Sequence, residues 1–443
     1  MAYAAIFTQG VAAMVAAGAL GSGLAWFIRF PQLPLLLLLL SLVTGQVVRV
    51  VLPGQGGGLL VSDGAVLLLL VTTYYRLLLS QRWTVVSQRL LWLLLPFIGW
   101  SLYTLLLNPL GLAGTESLVA LAYWIRLTLY LLLLPALVQL IQQRSGYRLL
   151  ARGFLASLTL LAFLGILQVW LWPNVSVWPG AWDPHEGRLV STWLDPNFMG
   201  GLFVISLPWL VTFYWHYFTT THSRVGVLTV AGVLCAALVA TQSRSAVVAL
   251  VVGVLVSSPL YLAYGMRQRS IRRLVATVSL VVILVVSMAI GARWLRDRLG
   301  GIIMYDPTVE VRLQALPLVW EVASAHSVTG VGYNAYQFAA REAGLIGSFT
   351  IHSRAGADNS LLTLWVATGI PGVLLFVWPW LVIVGQQLRR FITHDFLPAL
   401  GLITSLLVWL LHAQFVNSLL YAHLLLAVVI LTALTVVTPS DAV

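Results

Sequence analysis

The sequence predicts an all-α membrane protein of about twelve to thirteen transmembrane helices with a long helical extracytoplasmic loop, and three observations carry that prediction. Of 443 residues, 60% are hydrophobic and only 8% charged, with a mean hydropathy of +0.96, whereas soluble domains carry roughly 25% charged residues. Apolar runs of about 17–25 residues recur along nearly the whole length, each able to cross a ~30 Å hydrocarbon core. Arginine clusters recur in alternate connections, as the positive-inside rule requires of a multi-pass chain. A helix is the form such runs must take, because hydrocarbon offers no partner to an unbonded backbone N–H or C=O.

The runs fall at 8–28, 33–51, 59–79, 90–107, 117–141, 150–172, 197–218, 225–241, 245–265, 274–292, 359–386, 396–412 and 415–437. The first is rich in Ala and Gly and lacks a basic leader, so it reads as a retained helix. The chain divides into helices over 1–292, including an outer loop at 173–196, a helical extracytoplasmic loop over 293–357, and C-terminal helices over 358–443, all one integrated membrane domain.

Every basic residue other than histidine is Arg. Arg29, Arg76, Arg82, Arg89, Arg144, Arg148, Arg152, Arg224, Arg267, Arg269, Arg272, Arg273, Arg389 and Arg390 mark the cytoplasmic connections, while all acids except Asp395 and Asp441 fall on the opposite side. The net charge of +11 is therefore a topology signal and not a nucleic-acid footprint. The reading that follows is a multi-pass protein of a bacterial-type inner membrane, with its chemistry expected on the periplasmic or extracytoplasmic side. The lone Cys235 sits in an apolar run and permits no internal disulfide.

Two outer loops break the pattern of short connections. Residues 173–196 mix Trp and Pro with charge, suiting the membrane interface. Residues 293–357 form the only long polar stretch, with helical periodicity around Val311 to Val322, and predict a small helical cap over the outer face.

Charges at the membrane edge need an account. Arg244, in TQSRSAVVAL, is either a snorkelling arginine or a ligand contact. Arg126, in AYWIRLTLY, is either a packing partner of an acid or carbonyl, or a ligand contact. Arg188 lies at an outer helix end, and Arg312 is either a solvated partner of Glu310 or an anion contact. A guanidinium offers a planar fork of donors suited to phosphate or diphosphate. Asp358 opens a helix, where the dipole alone favours an acid, and where a carboxylate facing arginines could take a proton from a hydroxyl. Asp183, His185 and Glu186 match no standard metal spacing.

Four stretches in series resemble the O-antigen ligase and polymerase superfamily: RLVSTWLDPNFMGGL at 188–202, TQSRSAVVAL at 241–250, RLQALPLVWEVASAHSVTGVGYNAYQF at 312–338 and DNSLLTLWVATGIPG at 358–372. The resemblance spans about the C-terminal three-fifths of the chain. It implies a C-type membrane glycan transferase, free of metal and cofactor, that takes a glycan from undecaprenyl diphosphate and attaches it to an acceptor hydroxyl on a glycan, lipid or protein. It implies that Arg244 and Arg312 hold the diphosphate, with Arg126 and Arg188 as further candidates. Asn197, Gly330, Gly332, Asn359, Gly369 and Gly372 are its motif positions. The ligases carry a His, then Asn, Ser or Gln, nine residues and Gly-X-X-Gly; here Asp358-Asn359 and Gly369 to Gly372 keep the spacing with Asp in place of His. Asp358 is the preferred base, with His352, six residues earlier, as the alternative.

Two other classes share these features. A transporter or flippase also shows many helices and membrane-edge Arg, but transporters often carry repeated halves with midplane sites, whereas this chain has no internal repeat and gathers its charges at one face. A relative that binds lipid-linked glycan without turning it over is the third reading, kept open by the Asp-for-His change.

Overall fold

A computed structural model of the chain describes residues 26–51, 58–112, 114–175, 187–217, 220–267, 316–317, 319–342 and 357–437. The helices are α1 (Gln32–Thr44), α2 (Val61–Ser80), α3 (Val85–Leu107), α4 (Gly114–Leu140), α5 (Arg144–Leu171), α6 (Pro196–Tyr217), α7 (Thr221–Thr241), α8 (Arg244–Arg267), α9 (Tyr336–Glu342), α10 (Ser360–His394), α11 (Leu397–His412) and α12 (Ala422–Val436). Among the described residues, eight are long and apolar enough to cross a membrane, and α1, α11 and α12 are shorter apolar helices. The chain is an all-α membrane protein. The expected span at 274–292 and nearly all of that at 8–28 lie outside the described residues.

Apolarity on every side decides which helices are central. α6 is 89% buried over its most apolar stretch, and α12 is buried continuously from Ala422 to Thr435, as expected of helices that are hydrophobic all round. Around them α2, α3, α4, α5, α7 and α8 each keep an outward face, where Trp92 and Trp170 are 72% and 79% exposed. Such a band would be an aggregation hazard in water and suits acyl chains. Close approach inside uses small residues: α6 presses the Thr212 side chain onto Gly401 of α11, and Val408 of α11 lies over Gly253 of α8.

The helices alternate in direction, so two ends can be distinguished. One gathers arginines: Arg390 donates to the carbonyl of Thr435 at 2.8 Å, and Arg267 pairs with Asp395 at 3.7 Å. The other end, called here the site end, carries the starts of α2, α6, α8, α10 and α12 and the finish of α11.

At the site end the structure departs from the expected spans. The run at 33–51 stops as a helix at Thr44, where Gly45 turns with φ +57° beneath the Thr192 carbonyl. The chain then forms an antiparallel hairpin of β1 (Arg49–Val51) and β2 (Gly58–Leu60), with Arg49 opposite Leu60. The last span, expected from 415, begins at Ala422 after a non-helical connector.

The described part of the long loop packs against α10. Val319, Ala323, Val331, Ala335, Phe338 and Ala339 form a small apolar core with Val366, and Arg341 is clipped to Glu116 of α4 at 3.1 Å. Beneath them α10 breaks at Gly369, with φ 69° and ψ 178°. Pro371 has no N–H to offer the Ala367 carbonyl four residues back, and the Gly332 N–H takes that place at 3.0 Å. The Val331 N–H serves Val366, the Ile370 N–H reaches out to the Ser327 carbonyl, each at 2.8 Å, and Trp100 Nε1 donates to the Thr368 carbonyl at 2.8 Å. The loop thus completes the hydrogen bonding of a broken membrane helix, as irregular backbone at membrane depth requires.

Candidate active site

Two of the stretches singled out in the sequence meet face to face. The chain before α6 runs alongside the α7–α8 break: the Leu189 N–H donates to the Ala240 carbonyl at 2.9 Å. Arg188 Nε donates to the Thr241 carbonyl at 3.0 Å and its Nη2 to Asn197 Oδ1 at 3.3 Å. Ser243 Oγ donates to the same Asn197 oxygen at 3.1 Å. Gly200 admits this contact, since a Cβ there would lie 2.9 Å from that of Ser243. Gln242, with φ 54°, separates the two helices, and Arg244 is the first residue of α8. The Asp195 carboxylate accepts the Asn197 and Phe198 N–H groups at 2.7 and 3.1 Å, capping α6.

The start of α10 belongs to the same end. Asp358, partly exposed and with φ 51°, precedes Asn359, whose side chain caps the helix through the Leu362 N–H at 3.0 Å. Asn359 Nδ2 donates to Gln414 at 3.2 Å, and the Ser360 N–H to the Ala413 carbonyl at 2.8 Å. Ala413 follows His412, whose ring is so close to Gly201 that a Cβ there would lie 2.9 Å from it. A continuous path of contacts therefore joins the Asp358 region to the Asn197 and Arg244 region. Tyr336 of α9 faces Asp358, and its hydroxyl is pushed up to about 12 by burial and by that carboxylate.

Arg126 stands in a different setting. Its Nε and Nη2 bind Asp63 at 3.0 and 2.6 Å, and Nη2 also donates to the Gly58 carbonyl. Tyr130 donates to Ser62 at 2.8 Å and to Asp63 at 3.2 Å. The fork is mostly committed to a carboxylate and to the hairpin, with Nη1 the part those two leave over.

Of the expected site residues, then, Arg188, Asn197 and Arg244 lie at one edge of the site end, Asp358 and Asn359 at a neighbouring edge, and Gly330, Gly332, Gly369 and Gly372 at the loop–α10 crossing. Arg312, His352 and the trio Asp183, His185 and Glu186 lie outside the described residues. Gln46, Arg49, Phe198 and Tyr421 also stand at this end, though no role is singled out for them in the sequence. Arg49 was hidden in an apolar run, and its polar position inside that run was the signal that the span ends early. Tyr421 accepts a hydrogen bond from Gln46 Nε2 at 2.6 Å, and burial pushes its hydroxyl up.

A family model described as O-antigen ligase matches residues 228–377, about a third of the chain. No curated protein matches. The matched segment contains the Arg244, long-loop and Asp358 stretches, while 188–202 lies before it and is joined to it by the contacts just described. Such a family implies a glycosyltransferase-type enzyme that works on a lipid-linked glycan and an acceptor. Over most of α7, all of α8, the long loop and the first part of α10 the chain is similar to the O-antigen ligase family, and the match supports its membership of the O-antigen ligase and polymerase superfamily.

Proposed function

We propose that the protein transfers a glycan from undecaprenyl diphosphate to an acceptor hydroxyl at the outer face of the bacterial inner membrane, with Arg244 binding the diphosphate and Asp358 acting as base. The observation that carries this reading is the gathering of Arg244, Arg188 and Asp358 at one end of the helix bundle. Arg244 opens α8, so its guanidinium and the positive end of the helix dipole add their potential at one spot.

In this mechanism Asp358 takes the proton of the acceptor hydroxyl, and the acceptor oxygen attacks the anomeric carbon from the face opposite the diphosphate. The carbon–oxygen bond to the diphosphate breaks with inversion, and the undecaprenyl diphosphate leaves with the bonding pair. The charge growing on the leaving group is met by guanidinium donors in place of a metal: Arg244, with Arg188 at the same edge, and Arg312 by the family resemblance. Whether the acceptor is a second lipid-linked glycan or another surface molecule separates polymerase from ligase; the same residues serve both.

Purified protein in nanodiscs, given a synthetic undecaprenyl-diphosphate glycan and a hydroxyl acceptor, should release undecaprenyl diphosphate and lengthen or transfer the glycan. Movement of the glycan lipid between leaflets without that release would contradict the transferase and support the flippase reading.

A further inference from the structure

Beside the arginine cluster lies a set of aromatic and polar groups that the transfer chemistry leaves unused. Phe198 follows Asn197 directly, and its ring stacks on Tyr421 with centroids 3.7 Å apart and planes 4° from parallel. Both rings are partly exposed. Tyr421 is held by the Gln46 amide, and the rings of Trp193 and His423 stand 5.9 and 5.6 Å away. Gln46 is itself fixed, its N–H bonded to the Thr192 carbonyl at 2.9 Å. Arg126, its charge met by Asp63, the carboxylate of Asp195 and the guanidinium of Arg49 lie within electrostatic reach of the Tyr421 hydroxyl.

We propose that Phe198, Tyr421 and Gln46 form a sugar-binding subsite adjoining the arginine cluster, which takes the pyranose ring next to the diphosphate; this rests on the transferase reading above. A pyranose has an apolar C–H face and a rim of hydroxyls. The negative face of an aromatic ring attracts the former, and an amide that can both donate and accept suits the latter. The balance of charge favours a neutral ligand at this spot: Asp63 cancels Arg126, and Asp195 offsets Arg49. The placement fits as well. The Asn197 side chain is engaged by Arg188 and Ser243, and Phe198 follows it in the same first turn of α6, so the ring pair flanks the anion-binding edge.

The test compares two ligands on the full chain in nanodiscs: undecaprenyl diphosphate carrying a single hexopyranose, and bare undecaprenyl diphosphate. The wild type should prefer the sugar-bearing lipid. Phe198→Leu should weaken that lipid by roughly fivefold to tenfold, the scale of an aromatic contact, and leave the bare lipid within about twofold. Tyr421→Phe keeps the ring and loses the tie to Gln46, and Gln46→Ala tests the amide alone; each should lower the preference with unchanged thermal unfolding. Equal weakening of both ligands, or a wild type that binds both alike, would overturn the subsite and leave the diphosphate reading standing. Binding of neither ligand would overturn both.

Discussion

Arg244 occupies a position that helix electrostatics alone disfavours. A cation in the first turn of a helix opposes the macrodipole by about 0.3–1 kcal/mol, and the cost is offset when an anion is bound between the two. Arg244→Ala is expected to lower kcat/KM roughly 100-fold to 1000-fold, the range seen when one fixed donor is removed from a developing oxyanion, with no fall in unfolding temperature. Arg244→Lys should recover only part, since an ammonium lacks the planar fork. Asp358→Asn should cut kcat by about 100-fold to 10,000-fold while the donor still binds in a direct binding assay; full activity in that variant would move the base to His352. Arg126 makes a different kind of prediction. Its side chain and that of Asp63 are only 18% and 12% exposed, so Arg126→Gln strands a carboxylate and should cost about 3–5 kcal/mol. Unfolding in detergent should show Arg126→Gln combined with Asp63→Asn closer to the wild type than the single change.

Among the elements, the crossing of the long loop over α10 ties the outer segment to the membrane helices. A Cβ at Gly369 would strike the Val328 carbonyl, and at Gly330, with φ +67°, it would lie 2.5 Å from the Ala367 carbonyl carbon. Gly369→Ala is therefore expected to loosen the loop, seen as faster proteolysis between 316 and 342 and a lower unfolding temperature, whereas Gly64→Ala, where a Cβ meets nothing within 4 Å, should change neither. The Gly-X-X-Gly spacing was legible in the sequence, but its reason was not. Pro371 announces a broken helix, yet the donors that repair it come from Val331 and Gly332, far along the chain. The spans from Val61 to Arg267 were legible to within two residues at their ends and six at their starts, because apolar length sets them locally while the polar first turns of α3, α5 and α7 lie outside the apolar runs. The hairpin at Arg49–Leu60 was not, because Val47, Val48, Val50 and Val51 read as a continuing membrane run in spite of Arg49 among them, and the turn at Gly45 under Thr192 shows where the helix stops. The tie between Gln46 and Tyr421 joins residues 375 apart, which no local pattern reveals.

At the scale of the whole molecule, the account requires the site end to face outward. In a Cys235→Ser background, a cysteine introduced at Thr329 should react with a membrane-impermeant thiol reagent in spheroplasts, and one at Gln81 only in inverted vesicles; the reverse result would put the site in the cytoplasm. The same architecture, two largely buried helices with neighbouring helices packed against them, brings 188–202 onto 241–246 and 358–360 onto 413–414, so that residues from four separate stretches share one end. A structure of the protein in nanodiscs with undecaprenyl diphosphate decides whether the shared end holds a single lipid diphosphate beside the base. The account predicts the phosphates within hydrogen-bonding distance of Arg244, in a pocket that also opens onto Asp358. Phosphates bound elsewhere, with Arg244 and Asp358 facing separate cavities, would contradict it.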